Sequence, residues 1–221
     1  STDLTDESSV ASAFEKIENE AGALDILINN AGSGISGAIE FTEMSDAAYQ
    51  LDLNFFGMVR CTKYALKLMR PKGGKIVNIS SVAAVFSLPF QAFYSASKSA
   101  VNAFTMSLRN EVRHFNNIQV CAIMPGDVKT GFTASRKKSN TGDDVYGGII
   151  SSTIAGMEKD EERGMSPEAL GRYIYKVAIK RRLRPLYTAG FQYKPLVFLK
   201  RLLPNSFISF VVGKMYIKHS I

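Results

Sequence analysis

Cysteine and histidine are scarce in this chain of 221 residues, and tryptophan is absent. The two cysteines, Cys61 and Cys121, are too few for a disulfide framework, and we expect both to be reduced thiols inside a cytoplasmic protein. The two histidines, His114 and His219, stand alone, without further ligands at the spacing that metal sites use. The composition therefore excludes the disulfide-rich secreted class and predicts no metal site.

Long apolar runs are also missing. No stretch of about eighteen apolar residues occurs, so the sequence predicts no membrane-spanning helix. The length and the hydrophobic content of 46% are typical of one globular domain. The net charge of +7 raises the question of nucleic acid, but the basic residues carry no recognisable nucleic-acid module, and we predict no such binding.

The charges are distributed unevenly along the chain. Residues 1–60 carry eleven acidic and two basic side chains, whereas the chain from Ala169 onward carries eleven basic and no acidic ones. One interpretation is a solvated basic face that balances an acidic one. The other is that the basic and apolar tail, residues 191–221, lies on an anionic membrane surface or covers a site for an amphiphile.

The tail has a pattern of its own. Apolar pairs and triplets are interrupted by lysine and arginine, and Pro195 and Pro204 limit the length of any helix. This pattern predicts two short amphipathic helices, which we expect beside the ligand cleft with their apolar faces toward the Val85–Phe90 loop. The alternative is a surface patch that only completes the core or a dimer contact.

Three short apolar runs that end in turn residues predict buried parallel strands. They are Leu24–Asn29, Lys75–Ser81 and Ile118–Met124, and helical patterns lie between them at about Ala47–Met69 and Ala92–Phe115. Strands that alternate with helices predict an α/β fold with an open parallel sheet. Ligands of such sheets bind beyond the carboxyl ends of the strands.

The most informative chemical feature is Tyr94 followed four residues later by Lys98. Positions i and i+4 share one face of a helix, so both side chains can point at one ligand. An ammonium beside a phenol favours the phenolate and lowers the phenol pKa toward the working range. Ser81 follows a predicted strand, where its hydroxyl could hydrogen-bond a carbonyl oxygen as charge develops on it.

With other motifs in matching order, the chain resembles the short-chain dehydrogenase/reductase family. Asn29-Asn30-Ala31-Gly32 matches the NNAG turn of that family, and Pro125-Gly126-Asp127-Val128-Lys129-Thr130 matches its PGxVxT segment. Asn54, Ser81, Tyr94 and Lys98 match the asparagine, serine and YxxxK positions. The resemblance implies a Rossmann-like, doubly wound parallel sheet in three α/β/α layers, formed here by residues 1–190 with 191–221 as an extension of the same domain.

The resemblance also implies roles for these residues. Tyr94 would be the general acid or base, Lys98 would lower its pKa and hold the nicotinamide ribose, and Ser81 would position the substrate oxygen. Asn54 would kink its helix and anchor a water of the proton relay. The cofactor, NAD or NADP, would lie against the residues Asn30, Ala31, Gly32, Tyr94, Lys98, Pro125, Gly126, Val128 and Thr130. Ser81 and Thr130 have a simpler alternative as local caps.

One expected element is absent from the sequence. The family opens with a strand and a glycine-rich turn over the cofactor pyrophosphate, and nothing here matches that turn. Gly32-x-Gly34-x-x-Gly37 follows the NNAG strand, so we predict a flexible loop there. Asp3 resembles the aspartate that approaches the adenine in this family. We therefore expect roughly fifty to sixty residues, with the first strands of the sheet, upstream of Ser1.

The substrate is less clearly marked than the reaction. The linker Val82–Phe90 is apolar and carries no arginine or lysine that could grip a phosphate or carboxylate. This favours a hydrophobic alcohol, ketone or aldehyde. The segment Pro185–Gly190 and the long tail after it differ from family members that reduce acyl chains on a carrier protein, so the resemblance implies the branches that act on steroids, retinoids or lipid ketones. A cofactor-binding sensor or scaffold of the same fold, without turnover, is the alternative. The sequence does not distinguish NAD from NADP.

Two further expectations concern assembly and a lid. The helices at Ala47–Met69 and Ala92–Phe115 are apolar on more than one face, which predicts a homodimer or a homotetramer built from it. The segment between Thr130 and Ser166 is long enough for a lid. Ser166-Pro167-Glu168 then has the cap, proline and acidic residue that begin a helix.

Overall fold

The computed structural model describes residues 1–115 and 117–217. His219 and the end of the predicted tail, residues 218–221, lie outside the described residues. The main sheet has four parallel strands in the order β1-β3-β4-β6. These strands are β1 (Ile26–Asn29), β3 (Gly74–Ile79), β4 (Ile118–Pro125) and β6 (Leu186–Ala189). The three strands predicted from the sequence are therefore confirmed.

The sheet is covered on both faces because successive side chains of its central strands point in opposite directions. Ile76 and Val120 pack toward one face, with Val10, Leu68 and Leu108. The neighbouring residues of the same strands face the other side. They form a second core with side chains from the later part of the chain, and its members are Val77, Cys121, Ile123, Val177, Ala178, Leu183, Tyr187 and Ala189. Both cysteines are buried and free.

β1 departs from the expected burial on both faces. Leu27 packs against the first core, but Ile26 is 37% and Ile28 44% exposed. Among the described residues, β1 is paired only with β3, and no element covers the face that carries Ile26 and Ile28.

The helices agree with the predicted ranges and add detail. Helix α1 (Glu7–Ala21) begins at Asp6, whose side chain accepts a 2.9 Å hydrogen bond from Ser8 N. The predicted helix Ala47–Met69 is composed of α2 (Met44–Leu51), a π-helical turn at Asp52–Phe56 and α3 (Gly57–Met69). The other predicted helix is α4 (Ala92–Glu111), which a 3₁₀ turn at Val112–His114 extends.

The segment after β4 folds back over the loop that follows β1. It contains α5 (Phe132–Ser135), β5 (Lys137–Lys138) and α6 (Ile149–Glu162). β5 pairs in parallel with β2 (Ile35–Ser36). The Gly32–Gly37 segment was predicted to be a flexible loop. Its residues Ile35 and Ser36 instead form a short, buried strand, because β5, which is distant in sequence, pairs with their backbone.

The last part of the chain returns to the carboxyl ends of the strands. Helix α7 (Pro167–Ala178) begins as predicted, with Ser166 Oγ accepting a hydrogen bond from Ala169 N at 3.2 Å. After β6 the tail forms α8 (Tyr193–Leu199) and α9 (Asn205–Tyr216), as the prediction of two short helices requires. Thr153 on α6 donates to the carbonyl of Tyr216 at 2.9 Å and ties α9 to that helix.

No helix in the described ranges combines the length and the apolar character that crossing a bilayer requires.

Candidate active site

A cavity of about 640 Å³ lies at the carboxyl ends of β1, β3 and β4. Its floor carries polar residues from the loops that follow these strands and from the first turns of α4, whereas α8 and α9 form its roof. Of the predicted site residues, those that line it are Asn30, Gly32, Ser81, Tyr94, Lys98, Pro125, Gly126, Val128 and Thr130. The topology therefore collects motifs that are almost a hundred residues apart into one space.

Tyr94 lies in the first turn of α4 and is half-buried. Its ring packs against Phe132 with the centroids 5.5 Å apart. Burial raises the pKa of the Tyr94 phenol above its ordinary value, although the Ser81 hydroxyl and the Arg136 charge lower it, and Glu161 adds to the rise. This direction is opposite to the shift expected from Lys98, because the effect of burial on the Tyr94 pKa exceeds the effects of the contacts that lower it.

Lys98 lies one turn after Tyr94, and it is only 5% exposed. Its Nζ donates to the carbonyl of Ile79 at 2.9 Å and lies 5.8 Å from the Tyr94 ring centroid. Burial lowers the pKa of Lys98 to about 8. An ammonium group has three hydrogen-bond donors. Among the described residues, Lys98 Nζ donates only to Ile79 O, so it has donors left for a ligand.

Asn54 lies in the π-helical turn between α2 and α3, as its predicted role in kinking the helix requires. Its Oδ1 accepts from Ser33 N at 2.8 Å, and its Nδ2 donates to Ser33 O at 2.9 Å and to Ser97 Oγ at 3.1 Å. Asn54 thus connects the loop after β1 with α4. No sequence pattern predicts either partner of Asn54, because both lie far away along the chain.

The two serines after β3 have different surroundings. Ser80 is buried, and its hydroxyl donates to the carbonyl of Lys98 at 3.1 Å, which holds β3 against α4. Ser81 interacts with the Tyr94 phenol and lines the cavity. Ser81 Oγ also accepts from Ala83 N at 3.1 Å, so it caps the 3₁₀ turn Val82–Ala84 as well. Ser81 is therefore the serine whose hydroxyl is placed for chemistry.

Glycine at two positions permits close approach. A Cβ atom at Gly32 would lie 3.1 Å from Asn54 Oδ1 and 3.5 Å from Lys98 Nζ. A Cβ atom at Gly126 would lie 1.9 Å from the ring of Tyr193, which belongs to the tail. A larger residue at either position would push these groups apart.

The remaining predicted residues differ in position. The hydroxyl of Thr130 accepts a hydrogen bond from Phe132 N at 3.2 Å, so its alternative role as a cap is present together with its place in the cavity wall. Asp3 and Ala31 are not among the residues that line the cavity. Asp3 is exposed, and hydrogen bonds from the Thr5 side chain and backbone lower its carboxyl pKa.

Sequence reasoning missed a buried ion pair beside the cavity. Arg136, only 4% exposed, pairs with Glu161 of α6, and its guanidinium lies 5.4 Å from the centre of the Phe132 ring. Thr133 donates to the same carboxylate at 2.5 Å. A basic residue in a polar loop gives no signal of burial, so only the three-dimensional contacts reveal that this pair supports the Phe132 ring against Tyr94.

A second missed contact joins the tail to the PG turn. Tyr193 of α8 donates its hydroxyl hydrogen to Asp127, and its ring covers Gly126. Burial, together with the hydrogen bond to Asp127, raises the pKa of Tyr193 to about 12. The tail is therefore anchored at the turn that follows β4, which explains why it covers the cavity.

Known proteins of similar sequence carry the names of dehydrogenases and reductases. A sequence profile described as short chain dehydrogenase matches residues 1–141. Among curated proteins, the 3-ketodihydrosphingosine reductase of Bacteroides thetaiotaomicron is 42% identical over 182 residues, 81% of this chain and 67% of that protein. Dehydrogenase/reductase SDR family member 7B of Xenopus tropicalis is 35% identical over 213 residues, 96% of this chain and 65% of that protein. The chain thus spans about two thirds of the length of these relatives.

Solved structures show the same likeness. A short-chain dehydrogenase from Streptomyces avermitilis superposes with a TM-score of 0.81 and 25% identity, over 97% of this chain and 78% of that one. ElxO with NADP bound has a TM-score of 0.67 and 27% identity, over 84% of this chain and 73% of that one. With the matching profile, the parallel sheet and the clustered motif residues, the chain belongs to the short-chain dehydrogenase family of oxidoreductases.

Proposed function

We propose that the protein is an NAD- or NADP-dependent oxidoreductase that interconverts a hydrophobic alcohol and the corresponding ketone or aldehyde. One observation carries this proposal: the Tyr94 phenol, the Ser81 hydroxyl and the Lys98 ammonium meet at the polar floor of a cavity whose roof is apolar. The carbonyl oxygen of a substrate would lie beside the Tyr94 and Ser81 hydroxyl groups, and the rest of the substrate would lie among apolar side chains.

The residues on the floor fit a nicotinamide cofactor. Lys98 is a buried cation with unused donors, and Gly32 leaves room beside it, as a ribose with two hydroxyl groups would need. ElxO, which is similar in fold, has been solved with NADP bound. The bound nicotinamide would supply or accept the hydride, and the protein would orient the reactants and move the proton.

The proton transfer follows from the surroundings of Tyr94. In reduction, the phenol, which carries its proton at neutral pH, donates that proton to the carbonyl oxygen. Ser81 donates a hydrogen bond to the same oxygen and so stabilises the charge that develops there. Asn54 holds the loop after β1 against α4 and thereby keeps Gly32 beside Lys98.

The cavity wall supports a hydrophobic substrate. Phe86 and Leu88 line it from the loop after β3, and Leu196, Leu203 and Ile208 line it from the tail. Lys98 is the only lysine or arginine among the described residues that line the cavity, which disfavours a phosphorylated or carboxylated substrate. The relative from Bacteroides thetaiotaomicron is named for reduction of a lipid ketone, and a long-chain ketone is the substrate that we propose.

The test is Tyr94→Phe in the whole protein, assayed by oxidation of NADH and NADPH with a long-chain ketone. Because general acid catalysis contributes about 10²- to 10⁴-fold in rate, turnover should fall by that factor. Cofactor binding, measured by fluorescence, should persist because the ring remains. Tyr64→Phe on α3 is the control, since Tyr64 contacts Glu7 instead of the cavity.

Two results would contradict the proposal. Turnover by Tyr94→Phe at nearly the wild-type rate would remove Tyr94 from the chemistry. Cofactor binding by the wild-type protein without turnover of any ketone or alcohol would favour the non-catalytic sensor instead.

A further inference from the structure

The outer surface of the tail helices is apolar and exposed. Phe191 is 87%, Phe198 60%, Leu202 68% and Phe210 61% exposed. None of these four side chains lines the cavity. Scattered exposed apolar residues need no explanation, but four large ones within twenty residues of one two-helix unit form a patch that is normally covered.

The same two helices are apolar on their inner side. Leu196, Leu203, Ile208 and Val212 line the cavity. α8 and α9 therefore have apolar residues toward the cavity and apolar residues toward the outside. A helix that is apolar around most of its circumference is usually covered on both sides, and the protein covers only one of them.

The exposed patch is interleaved with cations. Lys194 and Phe198 are four residues apart on α8, and Phe210 and Lys214 are four residues apart on α9, so each pair shares a helical face. Leu202 lies in the turn between the two helices. Lys194, Arg201 and Lys214 are exposed. Within the described part of the chain, none of the three lies at salt-bridge distance from a carboxylate. The chain after Glu168 contains no acidic residue at all.

We propose that this outer surface of the tail, defined by Phe191 before α8, Phe198 on α8, Leu202 between the helices and Phe210 on α9, with Lys194, Arg201 and Lys214, docks on the surface of an anionic lipid bilayer. Aromatic and aliphatic side chains enter the boundary between headgroups and acyl chains, while lysine and arginine remain at the headgroups. The combination of apolar side chains with charge of one sign is what such a surface binds.

A second copy of the chain fits this surface less well. A symmetric dimer would bring the same patch of each copy together. Each copy contributes only cations there, so the contact would place like charges opposite one another in a partly desolvated interface. A bilayer with anionic lipids neutralises these charges.

Docking in this orientation has a consequence that rests on the proposed function. The helices that would lie in the headgroup layer are also the roof of the cavity above Tyr94. A long-chain ketone dissolved in the bilayer would then reach the cavity between α8, α9 and the Val82–Phe90 loop without crossing water.

The test is vesicle flotation of the whole protein, with no ketone present, so that its result does not depend on the proposed reaction. The protein should float with vesicles of phosphatidylcholine and phosphatidylserine, and much less with phosphatidylcholine alone. Each basic residue near an anionic surface strengthens binding about fivefold, so K194Q/R201Q/K214Q should lower the partition coefficient by roughly a hundredfold. F198S/F210S should lower binding to anionic vesicles as well, since it removes the apolar anchors.

Matched controls separate the patch from general charge and hydrophobicity. K180Q/R181Q/R182Q removes the same charge before β6, at the edge of the sheet opposite the cavity, and should leave flotation within about twofold of wild type. V145S/Y175S removes two exposed apolar side chains elsewhere, 70% and 64% exposed, and should also leave it unchanged. Circular dichroism confirms that each variant is folded.

The results of these experiments distinguish a bilayer from a second copy of the chain as the partner of this surface. Equal loss of flotation in the tail variants and in their controls would overturn the proposal, and so would absence of flotation in the wild type. Light scattering in which F198S/F210S alone converts an oligomer into a smaller species would also overturn it, in favour of a second copy. Turnover of a short water-soluble ketone should not change in K194Q/R201Q/K214Q, so failure of docking and failure of the proposed reaction are distinguishable.

Discussion

Replacing Lys98 by methionine should stabilise the protein at neutral pH while it removes a group that the proposed reaction needs. Lys98 is 5% exposed, and burial lowers its pKa from the ordinary 10.5 to about 8. The folded state therefore carries an unfavourable buried charge below about pH 8. That penalty corresponds to roughly 3 kcal/mol at pH 7.

The sign of the pH dependence follows from the lowered pKa. Between about pH 8 and pH 10.5 the unfolded chain binds more protons at this lysine than the folded chain does, so the stability of the wild type rises with pH there. The stability of Lys98→Met has no such pH-dependent contribution, because methionine does not titrate. It loses the hydrogen bond to Ile79 O at every pH, which costs about 1–2 kcal/mol.

Urea unfolding of both proteins at several pH values measures this difference. The variant should be more stable than wild type by about 1–2 kcal/mol at pH 7, and this advantage should shrink by roughly 2 kcal/mol by pH 10. Lys176→Met, at an exposed position of α7, should give a curve parallel to wild type. Parallel curves for Lys98→Met and wild type would refute a buried cation at Lys98. Turnover should fall and cofactor binding should weaken in this variant alone.

Three further predictions concern the supports of the cavity. Arg136→Met should destabilise the fold by about 3–5 kcal/mol in urea unfolding, because it leaves Glu161 buried without its partner; adding Glu161→Gln should restore part of the loss, and full stability of the single variant would contradict the ion pair. Truncation after Gly190 should raise the KM for a long-chain ketone far more than the KM for a short one, with cofactor binding retained. An equal rise of both KM values would show that the tail only completes the core. Light scattering should give a homodimer or homotetramer, since Phe56 and Met106 are 50% and 42% exposed on the helices that we expect to associate, and Met106→Asp should shift the protein toward monomer; a wild-type monomer at micromolar concentration would exclude this assembly.

The sequence predicted the parts of the fold whose signals are local. Apolar runs between turn residues predicted the strands at Ile26–Asn29, Gly74–Ile79 and Ile118–Pro125. The last two have the nearly continuous apolar runs that coverage on both faces requires. The spacing of Tyr94 and Lys98 placed both on one face of α4, because helical geometry fixes which residues share a face. Pro195 and Pro204 limited the tail helices in the same local way.

Other properties depend on contacts between distant residues, and no local pattern predicts them. Burial raises the pKa of Tyr94. Arg136 lowers this pKa and Glu161 raises it, and the sequence analysis connected neither residue with Tyr94. Asn54 was predicted to kink its helix, but its partners Ser33 and Ser97 come from two other elements.

The sequence by itself determined which polar residues share the site, because a Tyr and a Lys one helical turn apart and a serine at the end of a strand require only local geometry. The tertiary structure alone decided what surrounds that chemistry. It covers Gly126 with the ring of Tyr193 and brings α8 and α9 over the cavity. The physical reason is that burial and electrostatic environment depend on which surfaces meet, and long-range packing sets these contacts.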